Sequence, residues 1–98
     1  MASAMEMGIA STRLEALGNV TRLRMFVEVA RAGTAGLSVG ELRDRIGVSA
    51  GSTVSHHLRQ LVAAGLLDQE RRGTTLICRS RTDVLLELTA FLTSTVAR

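Results

Sequence analysis

Eight polar residues hold most of the chemistry that this sequence offers. Ser52, Thr53, Ser55, His56, Arg59 and Gln60 stand close together, and Arg71 and Arg72 follow after an apolar break. Wound at 3.6 residues per turn, Val54, Leu58, Leu61 and Val62 form one apolar stripe. That stripe points away from Ser52, His56, Arg59 and Gln60. Thr53 and Ser55 lie on its flanks, and His57 sits nearer the buried edge as a structural residue. The outward groups are short and rich in hydrogen-bonding atoms, the kind that reach base edges and phosphates in a major groove. No acidic residue occurs on this segment to repel a phosphate backbone. Arg71 and Arg72, read as the tip of a hairpin, would touch phosphates or enter the minor groove beside it. Asp68 and Glu70 dilute their charge. A plain solvated helix face and a solvated turn are the alternatives at these two places.

Other chemistries fit poorly. His56 and His57 are neighbours and project about 100° apart, whereas helical metal pairs are spaced i, i+4. Ser55 beside His56 has no acid to orient the imidazole, no oxyanion loop and no nucleophile elbow, so an enzyme is not expected. No metal and no cofactor are expected either. The single cysteine, Cys78, excludes an intrachain disulfide. By strand parity it shares a face with Leu76, as a buried small hydrophobe would. The alternative is a redox-sensitive thiol whose pKa Arg79 lowers.

These residues need elements to hold them. The 98 residues fit one domain, and 46% of them are hydrophobic, too many for a disordered chain. The net charge is +3, with 12 basic residues, all Arg, against 9 acidic ones. That balance permits nucleic-acid binding without establishing it. With no signal-like segment and no long apolar run, a cytoplasmic protein is expected, with no membrane partner. Residues 1–8 read as a flexible tail and residues 9–95 as the domain.

Apolar spacing predicts a first helix over Ile9–Leu17, with Ile9, Ala10, Leu14 and Leu17 inward. Asn19 caps a second, with Leu23, Phe26, Val27 and Ala30 on its stripe, closed by Gly33. Ser38 and Glu41 fit a capping box that opens a short third helix, with Val39, Leu42 and Ile46 inward and Gly47 at its end. Val48–Gly51 forms a turn. The fourth helix begins near Ala50 or Ser52 and runs to Ala64, stopped by Gly65. Leu66–Glu70 and Thr74–Ser80 are β-prone segments around Arg71-Arg72-Gly73. Thr82 caps a last helix carrying Val84, Leu85, Leu88, Phe91 and Leu92 on one side. The fold class is mainly α with a small β-hairpin, about five helices plus a wing. Two short helices joined by a tight turn and followed by a basic hairpin make a winged helix-turn-helix. The last helix carries a wide apolar stripe for so small a body. With Leu14 and Leu17 of the first helix, Leu85, Leu88, Phe91 and Leu92 are expected at a homodimer interface, the alternative being packing within one chain.

The residues also resemble a family. Leu17-Gly18-Asn19-Val20-Thr21-Arg22-Leu23-Arg24 looks like the opening motif of the ArsR/SmtB repressors. Leu37–Leu42 resembles their third helix, Ser52–Leu61 their recognition helix, and Ala64–Leu67 its exit. The similarity spans residues 13–95 and is most specific from Ser52 to Leu66. It implies a dimeric winged helix-turn-helix repressor on an inverted-repeat, double-stranded DNA operator, released by an inducer of unknown identity. The family's DNA contacts carry over to Ser52, Thr53, Ser55, His56, Arg59, Arg71 and Arg72. Val20 departs from a common Pro, and the turn before the fourth helix is one residue longer than usual. The family's metal sites have no counterpart. The third helix reads Glu41-Leu42-Arg43-Asp44-Arg45 with no thiol, and one cysteine cannot supply the two or three thiolates a soft metal needs. A rival reading keeps the fold and replaces DNA by protein partners, and a thiol-switched repressor acting through Cys78 is a variant of the first.

Overall fold

The computed structural model describes residues 5–47 and 51–96, leaving aside the side chains of Gly51 and Ser52. Five helices and three short strands follow in the order α1 (Met7–Leu17), α2 (Val20–Arg31), β1 (Leu37–Ser38), α3 (Val39–Ile46), α4 (Gly51–Ala63), β2 (Leu67–Arg72), β3 (Thr75–Ser80) and α5 (Thr82–Ser94). The strands form one antiparallel sheet with β3 in the middle, in the order β1-β3-β2. The expected turn over Val48–Gly51 lies outside the described residues at positions 48–50, and Gly51 is the first residue of α4. None of the described helices is long and apolar enough to cross a membrane.

Local chemistry sets the helix ends. Asn19 caps α2, its Oδ1 accepting from the Arg22 amide at 3.0 Å. Ser38 and Glu41 close the capping box: the Glu41 amide donates to Ser38 Oγ at 3.0 Å, and the Ser38 amide donates to Glu41 Oε1 at 2.9 Å. Those two bonds satisfy donors that the first turn of α3 would otherwise orphan. The Ser38 amide first, and then the Ser38 side chain, hold the Glu41 carboxyl below its ordinary value. At the end of α4, Leu66 donates its amide to Leu61 O and Gly65 donates to Val62 O. This is the Schellman arrangement, and Gly65, at φ 81°, supplies the left-handed residue that it requires.

Several expectations are corrected. Helix α1 starts at Met7, so Met7 and Gly8 do not belong to a tail; Glu6 caps it, and Ala10 donates its amide to Glu6 O. Its buried residues are Ala10 and Ala16, while Ile9 and Leu14 face out. Helix α2 packs on α1, α3, α4 and β3. It therefore buries Met25, Phe26 and Val29 and leaves Leu23 exposed, a stripe rotated from the expected one. It ends at Arg31, two residues before Gly33, which opens a single 3-10 turn. Arg81, not Thr82, stands at the N-cap of α5 without a side-chain cap, since a guanidinium carries no acceptor, and its own amide donates to Leu66 O.

Strand β1 was not expected at all. Leu37 pairs with Cys78 and Ser38 with Ile77, so the residues that open α3 are hydrogen-bonded to the middle strand of the wing. Gly36, at φ 70°, lets the chain pass: a Cβ there would lie 2.4 Å from the Cys78 carbonyl oxygen. The core beneath is aliphatic, with Met25, Val29, Leu42, Val54, Leu61, Leu66, Leu67 and Cys78 fully buried. Each such Leu or Val contributes roughly 1.5–3 kcal/mol of burial, enough to fix α3, α4 and the sheet as one unit.

Candidate nucleic-acid interface

Helix α4 is seated by Val54, Leu58 and Leu61, all buried. The opposite side presents Thr53, His56 and Arg59, one turn apart and exposed. Ser55 is exposed on the flank nearest the sheet. Ser52 belongs to the first turn of α4, and its side chain lies outside the described residues. Gln60 does not join this set. It is half-buried and its Oε1 accepts from Arg22 Nη1, which turns it toward the α1–α2 corner. Arg22 Nη1 also lies 3.3 Å from His57 Nδ1, so His57 is held on the inner side as expected.

A groove of about 580 Å³ runs between the start of α3, the flank of α4 and the wing. Arg43 of α3, Arg59 of α4 and Arg71 of β2 line it, and among the described residues lining it none is acidic. Arg43 is the functional candidate that sequence reading missed. Its Nε is buried and makes no hydrogen bond. The signal was available only as the third position after Gly40 on α3, among neighbours that are themselves charged.

The wing separates the two arginines that the sequence grouped. Arg72 pairs with Thr75, so the tip is Gly73-Thr74, and Arg71 and Arg72 belong to β2 itself. Successive strand residues face opposite sides. Arg71, with Gln69 and Leu76, faces the groove. Arg72 turns away, its Nε 3.4 Å from Glu70 Oε2. Glu70 also accepts from Arg79 Nη1 at 2.7 Å, and these bonds, Arg79's first, hold its carboxyl below the ordinary range. The outer face of the wing is thus charge-balanced and the inner face is not.

Cys78 is fully buried, and desolvation pushes its thiol up, opposed in part by the Gln69 Nε2 hydrogen bond at 3.5 Å. Arg79, which the redox alternative needs beside it, points to the other face of β3 and is occupied by Glu70 and by Thr34 O. The geometry therefore speaks against Cys78 as a reactive thiol.

The candidate dimer residues divide as well. Leu14 and Leu92 are exposed, Phe91 is half-buried, and Leu17 and Leu85 pack against their own core. Leu88 is only 2% exposed within the single chain and so leaves the exposed set; α1 and α5 meet there, and Ala10 is buried with it. Met7 and Ile9 on α1 and Leu86 on α5 are further exposed apolar residues. Arg13 ties these helices to the end of α4, donating from Nε to Ala64 O at 3.2 Å and standing 3.8 Å from Glu87.

A protein-family profile described as a helix-turn-helix domain matches residues 17–70. Among curated proteins none matches the chain. Solved structures do. HlyU from Vibrio cholerae is 28% identical with a TM-score of 0.72, covering 96% of this chain and 100% of that one. An ArsR-like transcriptional regulator from a Rhodococcus species is 24% identical with a TM-score of 0.79, over 90% of this chain and 79% of the other. A homodimeric winged helix-turn-helix DNA-binding domain from Mycobacterium bovis is 24% identical with a TM-score of 0.72, over 90% and 78%. With the matched profile covering more than half of its length, and with α3, α4 and the β2–β3 wing laid out as described, the chain belongs to the helix-turn-helix domain family and is a winged helix-turn-helix transcription regulator of the ArsR/SmtB type.

Proposed function

We propose that this protein is a repressor that binds an inverted-repeat operator as a homodimer and leaves it when an inducer binds. The observation that carries the reading is the acid-free groove in which Arg43, Arg59 and Arg71 converge beside the exposed Thr53-His56-Arg59 face of α4. Three planar, forked cations match phosphate oxygens and guanine edges. In this reading α4 enters the major groove and Arg71 follows the adjoining backbone. Exposed Leu14 and Leu92, with Met7, Ile9 and Leu86 around them, support dimerisation through α1 and α5, as does the homodimeric Mycobacterium bovis domain. A twofold axis would set two α4 helices about one turn of DNA apart.

Selection from a pool of random duplexes at two salt concentrations tests the proposal. Enrichment of one inverted repeat, weakened steeply by salt, is the expected result. Weak retention of every duplex without enrichment would overturn it and turn attention to protein partners.

A further inference from the structure

We propose that Arg22 is the positioning residue of the reading helix, clamping α4 to the α1–α2 corner through Gln60 and His57. The proposal rests on the DNA-binding reading above and assigns it a residue that touches no DNA.

Arg22 stands in the first turn of α2 and spends its whole guanidinium on two other helices. Nε donates to Ala16 O at 2.7 Å, and Nη2 lies 3.5 Å from Glu15 O. Both are among the last carbonyls of α1; Ala16 O has no partner within its own helix, while Glu15 O also accepts from the Gly18 amide. Nη1 reaches across to α4, donating to Gln60 Oε1 and lying 3.3 Å from His57 Nδ1. A planar fork with five donors can bridge three helices in this way, and an ammonium cannot. Gln60 and His57 immediately flank Arg59 and His56, which belong to the exposed face. Helix α4 otherwise rests on an aliphatic stripe that resists displacement but sets rotation only loosely, so the clamp fixes which way His56 and Arg59 point.

The clamp has a titratable member. Arginine only donates, so His57 Nδ1 must accept, and the ring must be neutral. The groups acting on this ring are Arg22 from α2 and His56 from α4 itself, while Glu15 of α1 lines the pocket beside Arg22 and Gln60. No charged group of β2 acts on it. Burial first, then the Arg22 and His56 charges, holds the His57 ring below its ordinary value. A ring depressed in the folded state supports the clamp fully above the ordinary histidine pKa. That support is lost as pH falls through the lower, folded value.

The test uses the full chain, its selected operator and four variants. Gln60→Leu removes the acceptor on α4 and leaves the bonds of Arg22 to α1 intact, so the fold is preserved. Arg22→Lys removes the fork and keeps the charge. Each is expected to weaken operator binding about tenfold, the loss of one charge-assisted hydrogen bond, and to speed amide exchange along α4 in the DNA-free protein. In a His56→Gln background, affinity should fall as pH drops below the ordinary histidine value of about 6.5, and adding His57→Gln, which keeps an acceptor but cannot titrate, should abolish the fall. Unchanged affinity and unchanged α4 exchange in Gln60→Leu would overturn the clamp, as would a flat pH profile in the His56→Gln background. Failure of the wild-type chain to select any operator would instead sink the DNA-binding reading, and exchange along α4 would still judge the clamp.

Discussion

Arg71 and Arg72 are adjacent and chemically identical, yet their places in β2 give opposite expectations for Arg71→Gln and Arg72→Gln. Each phosphate neutralised by a cation contributes about −0.9 to the slope of log affinity against log salt concentration. Arg71 faces the groove, and a homodimer carries two copies. Arg71→Gln should therefore flatten the slope by about 1.8, so that raising salt from about 50 to about 200 mM costs roughly tenfold less affinity than in the wild type. Arg72 is held at 3.4 Å by Glu70 on the outer face, and Glu70 keeps Arg79 when Arg72 is gone. Arg72→Gln should leave the slope nearly unchanged. Both residues are exposed, and such surface changes usually shift stability by less than about 0.5 kcal/mol, so unfolding does not confuse the comparison. Fluorescence anisotropy of a labelled operator, titrated at four salt concentrations, measures the slopes directly. A flattened slope in Arg72→Gln with a wild-type slope in Arg71→Gln would refute the assignment of the two faces, and equal slopes in both would refute the groove as the DNA-binding surface.

Leu92→Glu should shift the protein toward monomer in sedimentation velocity with its helical content retained, whereas Leu88→Ala should lower stability by about 2–5 kcal/mol as a buried truncation; a fully dimeric Leu92→Glu would place the interface elsewhere. Gly36→Ala forces a side chain onto the Cys78 carbonyl at positive φ, and backbone strain alone should cost roughly 1–3 kcal/mol, visible as a drop in Tm; an unchanged melting curve would show that β1 does not hold the wing. Cys78, buried with its thiol pushed up, should react with a soluble disulfide reagent only as the protein unfolds, and mild peroxide should leave operator affinity unchanged; loss of binding on oxidation would revive the thiol switch.

The legible parts of the sequence were those decided by neighbours a turn apart. Ser38 and Glu41 announce their capping box because both partners lie within four residues. The stripe of Val54, Leu58 and Leu61 is equally local, and so the exposed positions of α4 followed from it. Gln60 was misread because the residue that turns it inward, Arg22, lies on another helix, and periodicity carries no information about that partner. Glycine at position 73 marks a turn without saying on which side of it the strand ends, so Arg71 and Arg72 read as its tip; with the tip at Gly73-Thr74, strand parity separates them. Strand β1 is two residues long, too short for any alternation to show. In α5, the apolar residues were all visible, but burial of Leu88 depends on where α1 lies.

The pairing of Leu37 with Cys78 also bears on how the molecule assembles. The β2–β3 hairpin and helix α3 can each form from contacts close in the chain, on timescales typical of local structure. Joining them means closing a loop of about 40 residues, and the entropy of that closure must be met before the contact gives anything back. The tie between the wing and the start of α3 is therefore among the last features to be fixed, set only when the backbone at Gly36 slides beneath the Cys78 carbonyl. A chain interrupted before that step would hold α3 and the wing, each well formed, in no fixed relation to the other, with Arg43 on one and Arg71 on the other.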